Sequence, residues 1–219
     1  TQAVRDSRAE YTGPLYFYLE AGEHTLSLRL AEGALFLGAL EFGNPAPAPA
    51  YSLQKQQWDA QGAQDTSGCL VAYEAEKSYL KNALTLFATY DTAQVHVTPA
   101  SPSTVNYNTI GKNTWREAGQ EITWEFDAPE DGYYYLAFKV KQRDKSNAYS
   151  VRAVTIDGQL PFAEAEVQKF PYSPGWYVQC LQDAEGAPAR VYLAKGRHVL
   201  GMRADLDEDL AELLRNIDQ

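Results

Sequence analysis

The sequence predicts an all-β protein, an antiparallel β-sandwich of jelly-roll type. Three observations predict it. The 219-residue chain holds 15 Tyr, 8 Phe and 4 Trp against a single Met, alongside 15 Gly and 11 Pro. That composition favours strands and turns over a helical bundle. Strand-length segments follow one another with turn dipeptides such as Asp131-Gly132 and Asp157-Gly158 between them, without the helices of a parallel α/β fold. Finally, one strand–turn–strand unit occurs twice.

The repeat needs no gap. Residues 14–29 (PLYFYLEAGEHTLSLR) align with residues 188–203 (PARVYLAKGRHVLGMR), and Pro, Tyr, Leu, Gly, His, Leu and Arg recur at the same offsets. The second copy ends a long β-rich stretch, whereas the first stands near the start of the sequence. This predicts that residues 1–45 are the last strands of a preceding sandwich module, with Leu15–Leu19, Thr25–Leu30 and the segment from Gly33 to Phe42 as its strands. Such a piece is marginal alone, and packing against the rest of the chain is expected to cover it. Pairing between two chains is the alternative.

Residues 46–69 follow as a linker. The alternating Pro and Ala of residues 44–50 make a stiff, extended spacer. Leu53, Gln57 and Trp58 then fall at helical spacing, with Gly62 as a stop, so a short helix is predicted over Tyr51–Gln61, anchored by Trp58.

The complete module is predicted over residues 70–206. Its strands are read at Leu70–Glu76, Leu84–Tyr90, Glu121–Asp127, Tyr133–Gln142, Tyr149–Asp157, Trp176–Leu181, Arg190–Leu193 and His198–Asp205. In the third of these, Ile122, Trp124 and Phe126 alternate with Glu121, Thr123 and Glu125, the pattern of a half-buried strand. The expected core is Trp124, Phe126, Leu136, Phe138, Val154, Ile156, Val178 and Leu200. At least one of Tyr133, Tyr134 and Tyr135 must also point inward. In residues 207–219, Asp207 caps a predicted helix whose Leu210, Leu213, Leu214 and Ile217 share one face, directed towards a following domain.

Charge and motif content bound the function. The formal charge is −10, which opposes binding to phosphate backbones and excludes nucleic acid as a partner. No window approaches the ~18 apolar residues of a membrane span, so direct membrane insertion is not expected. The sequence has no phosphate loop, nucleophile elbow or zinc motif. His24 and His198 occupy equivalent turn positions in the repeat, which speaks for a structural role. His96 has neither an acid nor a nucleophile nearby. The chain is therefore read as non-enzymatic. Cys69 and Cys180 are too few for a disulfide framework; Cys180 is read as a buried free thiol, with a Cys69–Cys180 bridge as the alternative.

The ordered motifs carry a family resemblance. Tyr73-Glu-Ala-Glu76 resembles the opening strand of β-sandwich carbohydrate-binding modules of families 6 and 35. The segments beginning at Asn108 (NTIG), Trp115 (WREAGQEITWEF), Ala128 (APEDGY), Ile156 (IDGQLPF), Phe170 (FPYS), Val191 (VYLAKGRH) and Asp209 (DLAELLR) follow in order. Together they are similar to the sandwich modules fused to large extracellular solute-binding lipoproteins of Gram-positive carbohydrate ABC transporters. The resemblance implies an extracellular location, cell-surface attached through the parent protein. It also implies neighbouring domains of that parent as contacts, and an oligosaccharide or polysaccharide as ligand. A spacer or protein-interaction sandwich without a sugar site is the main alternative, and an accessory domain of a glycoside hydrolase the next.

Candidate site residues follow. Sugars stack on exposed rings while polar side chains bond their hydroxyls. Trp115, in a polar loop, and Trp176, after Ser173-Pro-Gly175, are the candidate platforms, although Trp176 also fits as the first core residue of its strand. Tyr107, Asn108, Gln142, Arg143, Asn147 and Tyr172 stand at strand ends or in loops that can line the same cleft. The resemblance further implies a structural calcium ion held by Glu74, Glu76 and Asp205. On a strand, the two glutamates would share one face; the alternative is that they are hydrogen-bonded or salt-bridged at a sheet edge.

Overall fold

A computed structural model describes residues 4–6, 15–30, 33, 38–40, 42–44, 46–92, 97–99, 104–144, 146–206, 211–213 and 216. After helix α1 (Tyr51–Ala60) the chain forms β1 (Tyr79–Lys81), β2 (Ala88–Thr89), β3 (Thr109–Ile110), β4 (Glu121–Ala128), β5 (Gly132–Tyr135) and β6 (Ala137–Val140). Then come β7 (Tyr149–Ile156), β8 (Gln168–Pro171), β9 (Tyr177–Cys180), β10 (Arg190–Leu193) and β11 (Gly196–Asp205). All of these strand pairings are antiparallel, and the fold is an all-β sandwich.

One layer is a five-stranded sheet in the order β1-β4-β11-β7-β8. The facing layer is built on β5 and β6, which run on through Leu136. β10 pairs with β5 and β9 with β6. Between them the Leu181 N–H donates to the Leu136 carbonyl at 3.0 Å, and the Ala189 N–H to the Leu181 carbonyl at 2.7 Å. A T-shaped pair, Phe138 on β6 and Phe170 on β8, spans the layers with ring centroids 6.3 Å apart.

The core contains Ala128, Val154, Phe162, Phe170, Leu181, Val191, Leu193 and Met202, all buried. Trp124, Phe126, Leu136, Phe138, Ile156 and Leu200 pack on its edge. Burying each such side chain contributes about 1.5–3 kcal/mol. In β4 the expected alternation holds. Its outward Glu125 forms an ion pair with Arg197 of the neighbouring β11.

Helix α1 lies on the sandwich. Trp58 meets Tyr133 edge-on at 6.1 Å, and Tyr51 meets Phe162 at 4.9 Å. The Tyr133 hydroxyl donates to the Asp59 carboxylate at 2.7 Å. Tyr133 is buried and Tyr135 exposed, so one of the three consecutive tyrosines does serve the core.

Several expectations need correction. Residues 70–76 form no strand: the Lys77 N–H donates to the Glu74 carbonyl at 3.0 Å, closing a turn, and pairing starts only at Tyr79. The segment 84–90 shrinks to the two residues of β2. β1, β3 and β8 lie outside the expected strands. Val178 is exposed, because the inward residue of β9 is Gln179, whose side-chain amide donates to the Lys169 carbonyl at 3.0 Å. Cys69 and Cys180 are free thiols, exposed and half-buried respectively, so they are not bridged. Residues 15–19 and 25–30 form no ladder and their apolar side chains are largely exposed; the expected packing against the rest of the chain is not made there.

Residues 211–213 are helical, with Ala211 buried and Leu213 exposed. Asp207, Leu210, Leu214 and Ile217 lie outside the described residues, as do His96 and half of the segment from Gly33 to Phe42.

Candidate functional site

Antiparallel pairing brings residues 90–92, 104–108, 141–144, 146–148 and 172–176 to one end of the sandwich, where β2, β6 and β8 finish and β3, β7 and β9 begin. Asp91 is the centre of this end. Its carboxylate accepts a hydrogen bond from Lys141 Nζ at 2.7 Å and another from the Trp176 indole Nε1 at 3.0 Å. Lys141 is almost wholly buried and Asp91 largely so. An ion pair withdrawn from water is expensive to break on one side only, so Asp91 holds the Trp176 ring in a fixed orientation.

Asn108 ties the same loop together. Its side-chain oxygen accepts from the Asp91 N–H at 2.8 Å, and its amide donates to the Asp91 carbonyl at 3.2 Å and to the Pro99 carbonyl at 3.4 Å. The Asn108 backbone N–H donates to the Thr89 carbonyl at 3.0 Å. Asn108 is thereby a loop clamp. Gln142 also works locally: its carbonyl accepts from the Ser173 N–H at 2.6 Å, and its side-chain oxygen from the Asp144 N–H at 3.0 Å. The Tyr172 N–H donates to the Ala148 carbonyl at 2.9 Å, which laces the loop after β8 to the one before β7.

Around this clamped floor Tyr107, Tyr172, Arg143 and Asn147 are exposed. Asn147 has a φ of 63°, a left-handed turn position that asparagine tolerates well. Tyr90 is exposed beside them, with Lys112 Nζ 5.7 Å from its ring centroid. Trp176 and Asn108 thus meet through Asp91, while Gln142 and Tyr172 bond within the adjoining loops. Sequence reasoning missed Asp91, Lys141 and Tyr90. In a chain with 29 acidic and 19 basic side chains, a lone Asp and Lys carry no signal; their meeting depends on β2 and β6 ending together.

Trp115 serves a different group. Its indole Nε1 donates to the Gln120 carbonyl at 3.0 Å, and the Arg152 guanidinium stacks on its ring at 4.6 Å. Arg152 donates to the Trp115 carbonyl at 3.1 Å and to the Val151 carbonyl at 2.7 Å. Burial pulls the Arg152 pKa down to about 10, still far above neutrality, and the ring and two carbonyls stabilise the buried charge. Gly111, at φ 100°, passes so close that a Cβ there would stand 3.1 Å from the Trp115 ring. With one face under Arg152 and an edge against Gly111, Trp115 is a packing residue.

The three acidic residues are not brought together. Glu74 and Glu76 sit on the turn beside Trp124, whose indole donates to the Ala75 carbonyl at 2.7 Å. Glu74 accepts from the Thr98 hydroxyl at 3.1 Å. Glu76 is buried, and its Oε1 has no hydrogen-bond partner. Burial and, behind it, the charge of Glu74 raise its pKa above the ordinary carboxylate value. An orphaned buried carboxylate oxygen beside a second carboxylate fits a cation. Asp205 does not fit the same site. It pairs with Arg203 at 3.0 Å and Arg5 at 3.8 Å, and it lies ~16 Å along β11 from Leu200, the partner of Trp124. Among the described residues no group of three His, Cys, Asp or Glu side chains is placed to hold a metal.

No family model and no curated protein matches the chain. Three solved structures are similar to it at low identity. A Podospora anserina family 26 glycoside hydrolase with a family 35 carbohydrate-binding module, a β-(1,4)-mannanase, is 18% identical with a TM-score of 0.42, covering 62% of this chain and 24% of that one. A family 35 carbohydrate-binding module from Clostridium thermocellum is 21% identical with a TM-score of 0.42, over 63% of this chain and 87% of the module. A Paenibacillus cycloisomaltooligosaccharide glucanotransferase, complexed with cycloisomaltoheptaose, is 16% identical with a TM-score of 0.45, over 72% and 21%. This chain therefore spans about a quarter or less of the two enzymes.

Proposed function

We propose that the sandwich is a non-catalytic glycan-binding module whose site is the loop end around Trp176. The observation that carries this reading is the Asp91 carboxylate, which pairs with buried Lys141 and fixes the Trp176 indole at 3.0 Å. A pre-oriented ring with exposed Tyr172, Tyr107, Arg143 and Asn147 around it has the chemistry a sugar needs: an apolar platform and polar groups for hydroxyls. The order of sequence motifs supports an extracellular parent of the solute-binding lipoprotein type, in which the module presents the transport receptor to polysaccharide. Among the described residues, no helix is long and apolar enough to cross a membrane.

One observation favours the spacer reading instead. Asn108 and Gln142, two of the expected polar contacts, have hydrogen bonds committed to their own loops. A glycan array followed by affinity electrophoresis decides. The expected result is weak binding to a polysaccharide, lost in both Trp176→Ala and Tyr172→Ala, with Tyr172→Ala keeping the native melting temperature. If no glycan binds the native chain, the module is a spacer.

A further inference from the structure

The two copies of the repeat share local geometry as well as sequence. In the complete module, β10 and β11 do not pair with each other. β10 pairs with β5 in one layer, and β11 lies between β4 and β7 in the other. The turn joining them carries the chain from one layer to the other. Residues 15–30 keep that turn. Gly22 and Gly196 both take a positive φ, 148° and 132°. His24 Nε2 lies 2.7 Å from the Glu20 carbonyl, and His198 Nε2 lies 2.7 Å from the Ala194 carbonyl four residues before it.

The inward positions also coincide. Phe17 and Leu19 align with Val191 and Leu193, and Leu26, Leu28 and Leu30 with Leu200, Met202 and Ala204. In the complete module Val191 and Met202 are 1% and 6% exposed; their counterparts Phe17 and Leu28 are 73% and 61% exposed. The positions on the opposite face match in kind, Tyr18 with Tyr192 and Arg29 with Arg203. Each copy thus has the apolar face of a closing strand pair, and among the described residues one of the two is packed in a sandwich.

We infer that residues 15–30 are the closing strand pair of a second sandwich, and that the surface they fit is an incomplete module of this same kind. That module would present strands equivalent to β5 for residues 16–19, and to β4 and β7 on either side of residues 22–30. The absence of a ladder between 15–19 and 25–30 is what this assignment requires, because their hydrogen-bond partners belong to other strands. It is a case of strand addition, with backbone pairing for affinity and alternate side chains for fit. The inference is independent of any sugar site.

The module's own β4, β5 and β7 can serve as the probe surface. In the full chain, residues 188–203 are replaced by the sequence of residues 14–29, and in a control by a scrambled version of it. The expected result is a β-type circular-dichroism spectrum and a cooperative melt for the chimera, with neither in the scramble. Because Phe17 is larger than Val191, a second chimera carries valine at that position to relieve overpacking. If both chimeras melt no more cooperatively than the scramble, residues 15–30 do not encode this strand pair and the assignment is wrong.

Discussion

His198 Nδ1 lies 2.7 Å from the Asp157 carboxylate, while its Nε2 faces the Ala194 carbonyl at the same distance. Both partners accept, so both ring nitrogens donate, and the ring is arranged for its protonated form. Burial works against the charge, but the carbonyl bond, the carboxylate bond and the Asp157 charge outweigh it and raise the His198 pKa. A raised folded-state pKa gives stability that is complete below the unfolded value of about 6.5 and is lost as pH rises through the folded value. Urea midpoints of the native chain should therefore fall between slightly acid and mildly alkaline pH. In Asp157→Asn that slope should flatten. A slope unchanged by the substitution would remove His198 from the account.

Glu76 gives the same sign of slope from a different cause. Burial raises its folded pKa, so ionising it costs folded-state stability, and that cost grows as pH rises above the unfolded value and is complete once pH passes the folded one. Glu76→Gln should raise the melting temperature at neutral pH in the presence of a chelator. If Glu74 and Glu76 hold calcium, adding calcium should raise the native melting temperature by mass action and leave the variant unmoved. A native melt indifferent to calcium, with a stabilised variant, would make Glu76 a buried strained acid and nothing more.

The sandwich was legible where burial follows a period of two. Ile122, Trp124 and Phe126 face inward along β4, and Trp58 does anchor its helix. Legibility failed where a polar side chain carries the inward position. Trp176, Val178 and Cys180 suggested one face of β9, yet Gln179 is inward because its amide has a carbonyl to satisfy. It failed again at residues 74–76, whose alternation resembles a strand although a local hydrogen bond closes a turn. In the candidate site, Trp176 and Tyr172 were visible as aromatic loop residues. The Asp91–Lys141 pair that orients Trp176 was not, since it joins residues fifty apart in sequence.

Trp115 now carries a stability prediction. Trp115→Ala removes the ring that covers the Arg152 guanidinium and leaves that buried charge with two carbonyls alone. The loss of packing should cost about 2 kcal/mol or more, in the range of large-to-small changes at packed sites. Chemical denaturation checks it. If the unfolding free energy is unaltered and glycan binding vanishes, Trp115 is a surface platform after all.

The linker helix should prove inseparable from the sandwich, unlike the segment before it. Tyr51 is held three ways: its N–H donates to Glu164 at 2.9 Å, its hydroxyl accepts from the Arg190 N–H at 3.0 Å, and its ring meets Phe162. The Ala163 N–H donates to the Pro49 carbonyl at 2.8 Å. At the other end of α1, burial and the bond to Asp59 push the Tyr133 pKa up to about 12, so this hydroxyl stays a donor through mildly alkaline pH. By contrast, residues 16–30 are exposed, and Arg5 meets Asp205 of the sandwich at 3.8 Å, longer than a charge-assisted hydrogen bond. Deleting residues 1–45 should therefore lower the melting temperature by only a few degrees. Deleting residues 1–62 should lower it much further, and Tyr133→Phe should cost about 1–2 kcal/mol through the lost bond to Asp59. Equal melting temperatures for the two deletions would show that α1 merely rests on the sandwich.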